Sequence, residues 1–213
     1  MVTFFTLMAE SPVSFKGAAV VMGVASCGKT SVGELLAEKL NAHFIEGDRL
    51  HSAANVAKMS AGNPLTDDDR WPWLAAIGQS LAGRVACVGS CSALKRVYRE
   101  AITKAAQRPV YFIYLHGSRE LLESRIGARK GHFMPASLLD SQLATLEVPA
   151  PDELALRLDI SLPVNELVER SKAWLISPPS LRATSPSGED KAGVLSSSSP
   201  EGEVPAGRRG DPL

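Results

Sequence analysis

Only three cysteines occur in 213 residues. So small and odd a set cannot build the disulfide framework on which many small secreted folds depend. Cys87 and Cys91 have no cysteine or histidine pair at zinc-ligand spacing, and no metal site is assigned to them. A reducing, cytoplasmic setting is the expectation. Charge of one sign is also missing, because 23 Lys and Arg stand against 23 Asp and Glu. With no net field, the chain has no general attraction for nucleic acid or for an acidic membrane surface. No apolar run approaches the roughly 20 residues that a bilayer-spanning helix needs. The opening "MVTFFTLMAESPVSF" has neither a basic start nor a long apolar stretch, so no cleaved signal is expected. What is present is 45% hydrophobic and 22% charged residues, the balance of one soluble globular domain.

Apolar runs and helix-periodic segments alternate between residues 17 and 176. "AAVVMGV" is a short continuous apolar run, as in a strand buried on both faces. Val32, Leu35, Leu36 and Leu40 follow it at helical spacing and predict a helix packed on that strand. "HFIEGD", "VACVGS", "VYFIYL" and "LRLDI" are the further strand candidates. The other helical segments are "TDDDRWPWLAAIGQSL", "ALKRVYREAITKAA", "RELLESRIGAR" and "VNELVERSKAWLI". Thr66 is placed to cap the first of these, with Asp69 three residues on and Pro72 suited to its first turn. The βαβα rhythm predicts an α/β fold, a doubly wound five-stranded parallel sheet with right-handed crossovers. Residues 1–16 are read as a short arm and 17–176 as the domain. The Ser-, Pro- and Gly-rich stretch 177–213 has almost nothing to bury and is expected to be disordered.

"GVASCGKT", Gly23 to Thr30, fits G-x-x-x-x-G-K-[ST] at every position. Glycines allow the tight turn that aims consecutive N–H groups inward at phosphate oxygens. The helix that follows adds its positive end. The cradle thus comprises Gly23, Val24, Ala25, Ser26, Cys27, Gly28, Lys29 and Thr30. Lys29 supplies a mobile charge for the β and γ phosphates, and Thr30 a hydroxyl for Mg²⁺. The motif lies between a buried strand and an amphipathic helix, where a nucleotide-binding loop must lie. Cys27 has two readings, a thiol activated by the helix start or a small filler, and the second is preferred.

Three further segments tell what receives the phosphate. "GD-x-LH" with "N-x-x-KM-x-x-G-x-PL-x-D-x-DR-x-PWL" spans residues 47–74, "CSALK-x-x-YR" spans 91–99, and "ARKGHF" spans 128–133. Together, and in this order, they resemble the gluconokinase family of P-loop small-molecule kinases, over about Ala18 to Leu175. The resemblance implies a fold of the nucleoside-monophosphate-kinase and shikimate-kinase type. It implies ATP and Mg²⁺ as cofactors, phosphorylation of D-gluconate at its 6-hydroxyl, and a homodimer.

Gluconate is an anionic polyol, so its site needs cations for the carboxylate and a carboxylate near the reacting hydroxyl. Lys95 and Arg99, four apart at a helix start, are expected to face one pocket, with Arg70 as a third cation. Asp48 lies just past a strand end, where ligands gather in open α/β sheets. It either orients the 6-hydroxyl and accepts its proton, or holds magnesium through water, or caps a turn. His51 is either a hydroxyl partner in the same loop or a structural histidine, and His132 is a further candidate for substrate binding. Arg125, Arg129 and Lys130 are assigned to a lid that closes over the phosphates and excludes water. Asp67, Asp68 and Asp69 are read as helix-start charges, and Trp71 and Trp73 as packing residues. Three departures from the family pattern stand out, the first in the loop, where "VASCGKT" stands in place of a more common serine and glycine in the middle and a serine at the end. Ser52 replaces a common proline, and the stretch before "CSALK" is a few residues short. A shikimate kinase would carry a "GGG" run after its third strand instead of "CSALK". A silent nucleotide-binding module would have lost Lys29, Asp48 or the lid arginines.

Overall fold

The computed structural model describes residues 15–128 and 136–177. The chain runs β1 (Ala18–Met22), α1 (Lys29–Lys39), β2 (His43–Glu46), a 3-10 turn (Gly47–Leu50), α2 (Ala53–Ser60), α3 (Asp67–Ala82), β3 (Cys87–Ser90), α4 (Arg96–Ala106), β4 (Val110–His116), α5 (Arg119–Ala128), α6 (Ala136–Thr145), β5 (Ala155–Asp159) and α7 (Val164–Ile176). The five strands form one sheet in the order β2-β3-β1-β4-β5, parallel throughout. This is the predicted doubly wound sheet, with every predicted strand in place.

The continuous apolar run of β1 is explained by its central position. Val20 pairs with Gly89 on one side and Phe112 on the other, so the strand is covered on both faces. Ala19 and Val21 face one core with Val32, Leu36, Val168 and Leu175, from α1 and α7. Ala18, Val20 and Met22 face the opposite core with Leu74, Ile77, Leu81, Tyr98 and Ile102, from α3 and α4. Because β1 is buried on both sides, the loop that leaves its C-terminal end rests on a rigid base.

Thr66 caps α3 as the spacing requires. Its hydroxyl accepts from Asp69 N–H, and the Asp69 carboxylate accepts from the Thr66 backbone N–H at 2.7 Å, completing a capping box. The shortened stretch before "CSALK" is absorbed without disruption, since α3 keeps Leu74, Ile77 and Leu81 fully buried up to its end. Ser52 likewise has a local use, because its side chain accepts from Asn55 N–H as the N-cap of α2. One boundary differs from the sequence reading. The segment starting at Ala93 is not helical until Arg96: Ala93 has φ +44°, and Lys95 is the extended N-cap residue.

Candidate active site

The phosphate loop joins β1 to α1. Gly23 has φ +138°, and a Cβ there would stand 2.5 Å from the Leu115 carbonyl oxygen, so no side chain fits. Gly28 caps α1 from the left-handed region. Val24, Ala25, Ser26 and Cys27 are buried beneath the loop. Lys29 bends back so that its Nζ donates to the Val24 carbonyl at 3.0 Å. Thr30, the second residue of α1, is exposed at the loop mouth. Cys27 is 1% exposed, and burial pushes its thiol up from its ordinary value despite the nearby Lys29. It is the filler, not an activated nucleophile.

Arg125, on α5, approaches the same loop. Its Nη1 is 3.8 Å from where a Cβ on Gly28 would stand, and its Nη2 donates to the Ile160 carbonyl at 2.7 Å. Arg129, Lys130 and His132 lie outside the described residues.

The second half of the site follows β2. Asp48 sits exposed in the 3-10 turn, which is fixed from two sides. Trp73 Nε1 donates to the Gly47 carbonyl at 2.7 Å. Gly47 N–H donates to Ser90 Oγ at 3.2 Å, and that hydroxyl in turn donates to Glu46. A Cβ on Gly47 would collide with the Ser90 carbonyl, so the turn can approach β3 only as glycine.

His51 stacks on the Trp73 indole, with ring centroids 4.0 Å apart. The Asn55 amide group donates to the Asp69 carbonyl at 2.8 Å and reaches His51 Nδ1 at 3.4 Å. An amide N–H₂ can only donate, so His51 Nδ1 accepts and Nε2 carries the proton. Burial holds the imidazole below its ordinary value, against the pull of Asp48. The sign for stability follows. Below the unfolded value near 6.5 the unfolded chain binds a proton that the native state resists, so acidification destabilises the fold. Between pH 6.5 and 5.5 the wild type is expected to lose more stability than His51→Asn, by up to ~1.4 kcal/mol per pH unit, seen as a larger fall in melting temperature. Parallel melting curves across that range would show the role absent.

The acceptor-side cations do not behave alike. Lys95 Nζ is bound to both oxygens of Asp67 at 2.9 Å. Tyr98 donates its hydroxyl to the same carboxylate at 2.6 Å. Tyr98 and then Lys95 hold the Asp67 carboxyl below the usual range. Arg70 lies over the Tyr98 ring, 5.6 Å from its centroid, and donates to the Leu65 carbonyl at 3.3 Å. No carboxylate pairs with it among the described residues.

Arg99 corrects the sequence reading. Its side chain is 2% exposed and bound to Glu153. The rest of its fork donates to the carbonyls of Ala93, Leu94 and Glu147. Because Lys95 is the extended residue before the helix, the expected shared face does not exist. The Arg99 side chain is committed to this buried tie, and of the two only Lys95 joins the Asp67–Tyr98 cluster.

The two halves converge. Burial drives the Cys91 thiol, at the end of β3, up to about 12; Asp48 adds to the rise, while Lys29 and Arg70 oppose it. The backbone joins the halves at the end of β3: Gly23 N–H of the phosphate loop donates to the Ser92 carbonyl at 3.3 Å, and Gly47 N–H of the β2 turn donates to Ser90 Oγ at 3.2 Å. A depression of about 430 Å³ lies elsewhere, between α4 and the β4–β5 edge. Among its charged lining residues Arg96 pairs with Glu100 and Asp152, and Arg99 with Glu153, and the phosphate loop is not among its lining residues.

A family model described as an AAA domain matches residues 19–149. A gluconokinase of Gluconobacter oxydans (strain 621H) is 52% identical over 143 residues, covering 65% of this chain and 80% of that protein. The chain belongs to the gluconokinase family. The thermoresistant gluconokinase of Escherichia coli (strain K12) is 41% identical over 155 residues, covering 70% of this chain and 87% of its own length. Among solved structures, a gluconokinase from Sinorhizobium meliloti 1021 superposes with a TM-score of 0.71 at 52% identity, covering 76% of this chain and 93% of that one.

Sequence reasoning about this family member missed several site residues. Asp67 looks like its neighbours, which serve the helix start, and only the fold aims it at Lys95. Tyr98 sits inside the "CSALK-x-x-YR" motif, which was the available signal. Trp73 packs as expected, but its indole also fixes the Asp48 turn.

Proposed function

We infer that the chain is a kinase that transfers the γ-phosphoryl of ATP to D-gluconate, giving 6-phospho-D-gluconate and ADP. The observation that carries this is the convergence of a complete phosphate loop with an acceptor wall made of one free carboxylate, one neutral histidine and two cations. Around this convergence the chain is 52% identical to a gluconokinase.

Asp48 is the carboxylate proposed to orient the 6-hydroxyl. The hydroxyl oxygen forms a bond to Pγ as the bond from Pγ to the β–γ bridging oxygen breaks, and the proton passes to Asp48. Such a reaction asks for alignment more than for base strength, which suits a carboxylate held on a doubly pinned turn. His51 presents Nε2–H as a donor to a sugar hydroxyl. Gly23 to Thr30 hold the phosphates, and Lys29 offsets charge on the leaving group. Thr30 is exposed at the end of the cradle with its hydroxyl available, which fits a Mg²⁺ that would neutralise phosphate charge. Arg125, with Arg129 beyond the described residues, is proposed to cover the phosphates, and His132 and Lys130 to belong to the same lid. Among the described residues no helix is long and apolar enough to cross a membrane. Family membership supports a cytoplasmic homodimer.

Arg70, with no acidic partner among the described residues, is the stronger candidate for the gluconate carboxylate; Lys95 must share its ammonium with Asp67. A charge-assisted hydrogen bond contributes about 1.5–3 kcal/mol, so Arg70→Ala is expected to raise the gluconate KM about 10- to 100-fold. Lys95→Ala is expected to raise it less, while changing the ATP KM least. A larger effect on ATP in either variant would move that residue to the nucleotide side. The function itself is tested by coupled ADP release with Mg²⁺ and ATP across gluconate, shikimate, other aldonates and no acceptor. Release dependent on gluconate is the expected result; turnover with another acceptor alone would discard the substrate.

A further inference from the structure

The backbone N–H of Ala25 donates to Oε1 of Gln142 at 2.6 Å, across 117 residues of sequence. Ala25 shares its peptide unit with the Val24 carbonyl, and that carbonyl is the one held by Lys29 Nζ. A single peptide plane is therefore gripped at both ends, its oxygen by the lysine and its nitrogen by the glutamine. The unit is flanked by backbone that could otherwise reorient, since Gly23 has φ +138° and Ser26, a non-glycine, has φ +62°. Rotation of this plane would withdraw the carbonyl from Lys29.

Gln142 is carried by a well-anchored element. Leu139, one turn earlier on α6, is 1% exposed in the core, and Asp140 is paired with Arg119 of α5. Just after α6, Glu147 N–H donates to the Leu94 carbonyl at 2.8 Å. The Glu147 carboxylate accepts from Arg96 N–H at 2.7 Å. The helix that holds the phosphate loop through Gln142 is thus also tied to the acceptor-side residues leading into Lys95.

We propose that Gln142 is a positioning residue for phosphoryl transfer: it fixes the Val24–Ala25 peptide plane and through it the position of Lys29. Gln142 touches no reacting atom in this role; it acts through the lysine. The inference rests on the reading of the loop as the ATP site and is independent of the acceptor.

The test is a double-mutant cycle between Gln142→Met, which fills the same space but cannot accept the hydrogen bond, and Lys29→Ala. It is read as ATP Kd by titration calorimetry, which needs no turnover, and as kcat with gluconate. In the wild-type background Gln142→Met is expected to weaken ATP binding and lower kcat, each about 5- to 20-fold, from the loss of one half-buried hydrogen bond to the backbone and the lysine's misplacement. In the Lys29→Ala background the same substitution is expected to change both by less than about twofold, because its target is gone. Equal fold losses in the two backgrounds would mean that Gln142 supports the loop without acting through Lys29, and would overturn the proposal. So would wild-type ATP affinity and kcat in Gln142→Met alone. Should gluconate not be the acceptor, the Kd arm still decides, so the two failures are distinguishable.

Discussion

Lys29→Ala is expected to lower kcat by about 10²- to 10³-fold, the usual loss when one preorganised charge-stabilising donor is removed from a transfer site. The melting temperature is expected to stay within about 2 °C, as for most substitutions away from the core. The structure separates the two effects. Lys29 is the first residue of α1, where the backbone N–H has no intrahelical partner in any case. The helix begins independently of its side chain, with Val32 N–H donating to the Gly28 carbonyl at 3.0 Å. The ammonium makes one bond, to the Val24 carbonyl, and alanine is the best helix former. What is lost is the charge that meets the developing negative charge on the leaving phosphate. Coupled ADP release and a thermal melt on the same preparation check both halves. A variant that unfolds would show Lys29 to be structural, and one with normal turnover would remove it from the reaction.

The features legible in the sequence are those whose causes are local. The buried run of β1, the spacing of "GVASCGKT" and the Thr66–Asp69 capping box each lie within eight residues, and each is found where expected. α2 was not legible, because "AANVAKMS" is only eight residues long and the residue it buries is the polar Asn55. It is held instead by the Ser52 cap and by Asn55 reaching the Asp69 carbonyl, 14 residues on. The start of α4 was misplaced for a related reason. Helical propensity runs through "ALKRVYREAITKAA", but the carbonyls of Ala93 and Leu94 accept from the Arg99 guanidinium, which fits the break in the helix before Arg96. Gln142 was silent, since nothing near it in sequence indicates a partner 117 positions away. Periodicity reports which face is buried; it does not report which distant polar group a buried donor meets.

Arg99 shows the consequence, and Arg99→Ala is expected to unfold the protein more than it weakens gluconate binding. Four apart from Lys95, it looks like a second acceptor cation. In the fold its side chain is 2% exposed, against 11% for Glu153, with Nε–Oε2 at 2.5 Å and Nη2–Oε1 at 2.8 Å. Burial pushes the Glu153 carboxyl up, but the Arg99 contact together with the hydrogen bond from Ala150 N–H outweighs it, so the group lies below its ordinary value. Truncating one partner of such a pair typically destabilises by about 3–5 kcal/mol, because the other charge is left buried and unpaired. The carbonyls of Ala93 and Glu147 lose their donor as well, while Leu94 keeps the bond from Glu147 N–H. For a domain of this size the expected fall in melting temperature is on the order of 10 °C. The pH dependence identifies the cause. In the wild type, Glu153 contributes stability above its unfolded value near 4.5 that is lost as pH falls through its lowered native value. In the variant the unpaired carboxyl escapes its penalty by taking up a proton, so the gap between the two melting temperatures is widest near neutrality and narrows on acidification. Arg99→Met combined with Glu153→Leu removes the stranded charge and is expected to recover much of the loss. An Arg99→Ala protein that melts with the wild type but has a raised gluconate KM would return Arg99 to the acceptor wall that the spacing suggested.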